Sequence, residues 1–144
     1  MSELHEYIKN RLETNYFIAH MGIQLIGVSE GNASISVDVE RHHLQQNGFT
    51  HGGVIATLCD VATGIAAYTN APKGKNVVTA DLKISYLNPS VAKTVKASGR
   101  VKKAGNLLFF CDAEVWDILP EGERLVATAS AIMVAVDIPL ASGK

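Results

Sequence analysis

Asp60 is the only charged side chain between Arg41 and Lys73, inside a run from Gly52 to Tyr68 that is otherwise apolar, small or hydroxylic. An unpaired charge in such surroundings costs several kcal/mol unless it is hydrogen-bonded, paired or reprotonated. A chain that keeps one there either ties it to a donor for structural reasons or uses it as a nucleophile or general base. Upstream stand His51, Gly52 and Gly53. A helix that starts at these glycines presents unpartnered N–H groups at its positive dipole end. Without a Cβ at either position, a ligand oxygen reaches that backbone. Such an amide stabilises a developing oxyanion by about 3 kcal/mol. An acid and a bare amide together suit attack on a carbonyl, but Asp60 lies about 12 Å along the helix axis from Gly52. Both cannot touch one carbon within a chain. The acid of one subunit is therefore expected to face the helix start of another across a two-fold axis.

Other reactive residue types give weaker signals. His51 reads as a helix-cap hydrogen bonder more readily than as a proton carrier. Cys59 has no base at a recognisable spacing and reads as core. His42, His43 and His51 lack ligand spacing, and Cys59 and Cys111 form neither a metal pattern nor a disulfide framework, so no metal is expected. Arg100, Lys102 and Lys103 suit either a ligand's phosphates or a solvated strand face.

The elements that must position these groups follow from periodicity. Leu4, Tyr7, Ile8 and Leu12 recur at helical steps, predicting a short N-terminal helix over about 2–15 with Ser2 as its cap. Strands are expected at 23–28 and 33–39, around a turn at Glu30-Gly31-Asn32. After a loop over 41–50 comes a helix, about 53–70, ending before Pro72. It is apolar on every face and must be enclosed. Alternation then predicts strands at 78–86, 95–103, 107–116 and 124–136, broken at Asn88-Pro89, Gly105-Asn106 and Pro120-Glu121-Gly122. The pattern is α+β: a curved antiparallel sheet of five to six strands, its last three or four a meander, wrapped around the long helix, whose remaining face meets a second subunit.

With 144 residues, 47% hydrophobic and 19% charged, one globular domain over 1–144 is expected. A net charge of −1 offers no footprint for nucleic acid and no basic membrane patch. The N-terminus lacks a secretory pattern, and Asp60 in its middle argues against reading the apolar run as a membrane span. A cytoplasmic setting is the simplest fit.

At Gln45, Gly48, His51-Gly52-Gly53, Leu58 and Asp60, the chain resembles hotdog-fold thioesterases, nearest the phenylacetate-degradation and hydroxybenzoyl-CoA thioesterase branch. Val78 to Tyr86 and Lys103-Ala104-Gly105 extend the resemblance, which runs from about Met21 to Val136. The resemblance implies hydrolysis of acyl-CoA thioesters to free acid and coenzyme A, with coenzyme A as part of the substrate and no separate cofactor. It gives Asp60 the role of nucleophile or general base and Gly52 that of oxyanion donor, with Gly53 beside it. Gln45 would position water or carbonyl, with Asn47 a rival for that task, and Thr79 would supply a strand hydroxyl. Where hydroxybenzoyl-type relatives carry a hydroxyl four residues after the acid, this chain has Gly64; Thr63 or Thr79 would substitute. A homo-oligomer follows, a dimer as the minimum unit and a tetramer compatible with Leu108, Phe110 and Trp116 on the outer sheet face. Two other functions stay open: an acyl-thioester binding module without turnover, and a hotdog hydratase or dehydratase.

Overall fold

The computed structural model describes residues 2–137, so Met1 and residues 138–144 of the expected 1–144 domain lie outside the described residues. The chain forms α1 (Glu3–Glu13), α2 (Tyr16–Met21), β1 (Ile23–Ser29), β2 (Asn32–Asp38), α3 (Gly52–Asn70), β3 (Asn76–Tyr86), β4 (Thr94–Ala104), β5 (Leu108–Leu119) and β6 (Gly122–Val136). All six strands join one antiparallel sheet in the order β1-β2-β4-β5-β6-β3.

The hotdog arrangement follows from where apolar surface must go. The sheet curls around α3, which packs against β2, β3, β4, β5 and β6. Val54, Leu58, Cys59, Ala62, Ile65 and Ala66 of α3 are buried against Ile35, Val37, Val95, Ala97 and Val115. Contact is tightest at Gly99, where an added Cβ would lie 2.4 Å from the Ala62 carbonyl carbon and oxygen. The close approach requires glycine there. By length and hydropathy alone α3 could cross a membrane, yet here it is the core helix of the curled sheet.

Two features differ from the sequence expectation, and one alternative it left open is decided. The N-terminal segment is two helices rather than one. Ser2 caps α1 by accepting from the His5 N–H at 3.1 Å, while Asn15 caps α2 by accepting from the Ile18 N–H at 3.1 Å. Gly22 closes α2 in the left-handed region at φ 74°, which glycine adopts without Cβ strain. The meander, expected to take three or four strands, takes three, and β3 is not in it. Only β4, β5 and β6 follow one another; β3 crosses to the far edge and pairs with β6 alone. The second difference is a bulge between Thr79 and Asp81, which inverts the parity of β3. One extra residue exchanges the faces of a strand. Leu82 and Ile84 therefore pack on the core beside α3, while upstream the odd-numbered Val77 and Thr79 turn to the same side.

Candidate functional site

Asp60 is half-buried in the middle of α3. Its Oδ1 accepts from the Thr79 hydroxyl at 2.5 Å, and Thr79 Oγ1 also lies 3.4 Å from Met133 Sδ. The β3 bulge is what delivers Thr79, because unbroken alternation from Leu82 would turn its side chain to the other face. Among the described residues the second carboxylate oxygen, Oδ2, has no hydrogen-bond partner. Acid and hydroxyl line a cavity of about 250 Å³ roofed by Ile8, Leu12 and Ile18 of α1 and α2, with Arg11, Asn15 and Tyr68 also on its wall. The N-terminal helices thus belong to the site, which periodicity alone did not reveal.

The start of α3 is a second centre. His51 is the N-cap, its Nδ1 accepting from the Gly53 N–H at 2.8 Å. This occupies the Gly53 amide and fixes His51 as a cap. The Gly52 N–H has no acceptor among the described residues. Tyr86 donates its hydroxyl to the Gly52 carbonyl at 2.8 Å, holding this first turn to the end of β3. Burial, the largest cause, raises the Tyr86 phenol above its ordinary value, so it remains a donor. Gly52 lines a cavity of about 400 Å³ with Gln45, Phe49, Thr50, Tyr86 and Ser90. Gln45 Oε1 accepts from the Asn47 N–H, which leaves the Gln45 NH₂ group without a partner among the described residues. Asn47 itself is exposed in that turn and does not line the cavity.

The remaining sequence candidates lie elsewhere. Thr63 is fully buried, donating to the Cys59 carbonyl at 2.7 Å, and does not line the Asp60 cavity. Its hydroxyl bonds back along α3, the usual fate of a buried helical threonine, so it does not replace the hydroxyl missing at Gly64. Arg100 lies one residue after Gly99, which faces α3, so Arg100 is on the outer face of the sheet. There Arg100 and Lys102 flank Asp112 at 3.5 Å and 3.8 Å. Lys103 is exposed where β4 shifts register against β5. None of the three basic residues lines the Asp60 or Gly52 cavity. The Cys59 thiol is pushed up to about 12 by burial and then by the Asp60 charge, so it stays protonated and is no nucleophile at neutral pH. Among the described residues no three His, Cys, Asp or Glu side chains are grouped to hold a metal ion.

One acid was missed. Asp117 on β5 is fully buried, more deeply than Asp60. It accepts from Ser90 Oγ at 2.6 Å and from the Val91 and Ala92 N–H groups at 2.8 Å and 3.3 Å. All of these contacts are to the loop before β4, so Asp117 is a structural anchor. The signal was present in parity: Phe109, Cys111, Ala113 and Val115 are the core-facing positions of β5, and Asp117 is the next in that series.

Comparison with known proteins gives consistent matches. The family model described as Thioesterase superfamily matches residues 47–122. Acyl-coenzyme A thioesterase 13 of Homo sapiens is 28% identical over 114 residues, 78% of this chain and 81% of that protein. A thioesterase family protein from Silicibacter pomeroyi has a TM-score of 0.88 at 25% identity, over 92% of this chain and 98% of that one. The E. coli PaaI protein from the phenylacetic acid degradation operon shares the fold at a TM-score of 0.81 and 22% identity, over 92% and 93% of the respective chains.

Proposed function

The chain belongs to the thioesterase superfamily, and on that premise we propose that it hydrolyses acyl-CoA thioesters to the free acid and coenzyme A. Thioester hydrolysis in general has the support of the family match and of the relative named acyl-coenzyme A thioesterase 13. The acyl-CoA substrate and the roles below are our reading. Asp60 Oδ2 attacks the thioester carbonyl or takes a proton from water, while Thr79 holds Oδ1 and orients the carboxylate. The Gly52 N–H receives the carbonyl oxygen as charge develops on it, and the Gln45 NH₂ group positions water or carbonyl at the same cavity. The observation that carries this is a half-buried carboxylate, held at 2.5 Å by one hydroxyl in a cavity roofed by Ile8, Leu12 and Ile18, on a helix whose start presents a bare amide.

The two centres line separate cavities of one protomer, and in our reading a second copy completes the reaction centre. Two features support a dimer as the minimum unit. On the half-buried face of α3 that the sheet does not cover, Asp60, Val61, Gly64 and Tyr68 line the cavity beneath α1 and α2, which leaves Ala56 and Thr57, outside that cavity, for a second copy. In addition, β3 is an 11-residue edge that pairs on one side only, and long open edges invite strand addition. The test is thiol release from a panel of aromatic and aliphatic acyl-CoA esters. Flat traces across the panel would favour the binding module instead. Thr79→Val removes the hydroxyl at nearly constant volume, and kcat is expected to fall about tenfold or more with KM little changed. An unchanged kcat in steady-state assays would make Thr79 an ordinary edge-strand residue.

A further inference from the structure

Asp60, Gly64 and Tyr68 succeed one another at four-residue steps on α3 and so share one face. All three line the cavity beneath α1 and α2. About 12 Å of helix separates the acid from the tyrosine. Midway, at Gly64, a side chain is missing: a Cβ built there meets nothing within 4 Å. A glycine inside a helix costs about 1 kcal/mol relative to alanine. Neither a positive φ nor a close backbone approach requires one here, in contrast to Gly99. What the missing side chain supplies is space. Ile65, Ile8 and Leu12 give the cavity apolar wall, beside the polar Arg11 and Asn15. Tyr68 closes the far end, its ring 4.7 Å beneath the Arg11 guanidinium and its hydroxyl 3.0 Å from that of Tyr7.

We infer that Gly64 is the specificity-determining position for acyl length. It opens a channel along α3 in which a linear acyl chain, its carbonyl at Asp60, runs past Gly64 and stops against Tyr68. An extended alkyl chain advances ~1.3 Å per carbon, so the channel takes a medium-length chain of roughly eight carbons. A compact aromatic acyl group ends before Gly64 and gains nothing from the gap. The inference rests on acyl-CoA being the ligand, and non-hydrolysable probes separate it from the hydrolytic chemistry.

The experiment measures, by calorimetry on the full chain, the affinity of the thioethers S-octyl-CoA and S-butyl-CoA for the wild type, Gly64→Ala and Gly64→Leu. With ~0.8 kcal/mol for each buried methylene, the wild type is expected to prefer the octyl thioether by about a hundredfold, and Gly64→Leu to reduce that ratio about tenfold or more. Should Gly64→Leu not fold, Gly64→Ala, which adds one methyl to empty space, is expected to reduce the ratio about threefold. An octyl-to-butyl ratio near one in the wild type, or one left unmoved by the substitutions, overturns the channel. Thiol release from butyryl-CoA and octanoyl-CoA by the wild type is followed in parallel. Turnover with an unmoved ratio overturns the channel alone; a collapsing ratio without turnover overturns hydrolysis and leaves the channel standing.

Discussion

Asp60→Asn is expected to lower kcat for acyl-CoA hydrolysis by about 10³-fold or more, with KM changed little, because it removes the oxygen proposed to attack or to accept a proton and leaves the shape. Asparagine keeps the volume and still accepts from Thr79, so the hydrogen bond at 2.5 Å has a successor. A binding module predicts unchanged ligand affinity and unchanged rates. Single-turnover hydrolysis in heavy-oxygen water then divides the two roles, since label appears in the protein only if the carboxylate itself attacks. The composite site has a sharper consequence. Proline is tolerated at the first helical position, where its missing N–H had no helical partner anyway. His51 already has the extended φ −60°, ψ 139° that a following proline demands. Gly52→Pro therefore deletes the proposed oxyanion donor while keeping the turn, and is expected to cost about 10²- to 10³-fold in kcat. Co-expressed with Asp60→Asn, it yields mixed dimers in which one of the two sites is wild type in both parts. Random pairing then restores about a quarter of wild-type activity. No restoration in purified mixed dimers would place acid and amide on the same chain and refute the two-subunit site.

The parts legible in the sequence were those fixed by local pattern. The expected bounds of 53–70 for the long helix compare with Gly52–Asn70, since the His51-Gly52-Gly53 junction and Pro72 mark its ends. The meander strands were marked by alternation and by the turns at Gly105 and Gly122. Pairing across the sheet was less legible. Nothing local to Asn76–Tyr86 says that it crosses to β6 rather than lying beside β4, because that choice is made by distant partners. The candidate site divides along the same line. Asp60 and the bare Gly52 amide were readable from residue type and position. That Thr79 meets Asp60 depends on a one-residue bulge, and that Ile8, Leu12 and Ile18 roof the acid depends on how the N-terminal helices dock. Asp117 was hidden because the expected strand stopped at Trp116, one residue short of the acid. With the strand extended, the even spacing of Phe109 to Val115 sets Asp117 among core positions, where a carboxylate must be hydrogen-bonded.

That contrast between two acids yields the largest expected effect on stability. Asp117→Ala removes the acceptor for Ser90 Oγ and for the Val91 and Ala92 N–H groups, and leaves them facing a buried gap. It also leaves Arg124, whose Nη2 lies 3.7 Å from the carboxylate, without its counter-charge. Orphaned buried donors cost about 1–3 kcal/mol each, while the Arg124 pair, with its guanidinium side chain 42% exposed and still donating to the Pro89 carbonyl, adds about 1 kcal/mol or less. Because the three donors share one loop and relax together, a loss of about 3–5 kcal/mol is expected rather than their sum. In a chain of this size that lowers the melting midpoint by about 10 °C or more. The loop matters to the site as well, since the Ser90 carbonyl accepts from the Thr50 N–H at 3.0 Å, two residues before Gly52, and Ser90 lines the same cavity. On the role proposed for it, Asp60→Asn should do the reverse: kcat collapses while the midpoint holds or rises, because a half-buried acid kept for reactivity is held at a cost to stability. Calorimetric melting of the two variants beside the wild type decides between these assignments. An Asp117→Ala protein melting within about 2 °C of the wild type would mean that the loop is anchored elsewhere, whereas a steep fall for Asp60→Asn would make Asp60 a structural acid tied to Thr79.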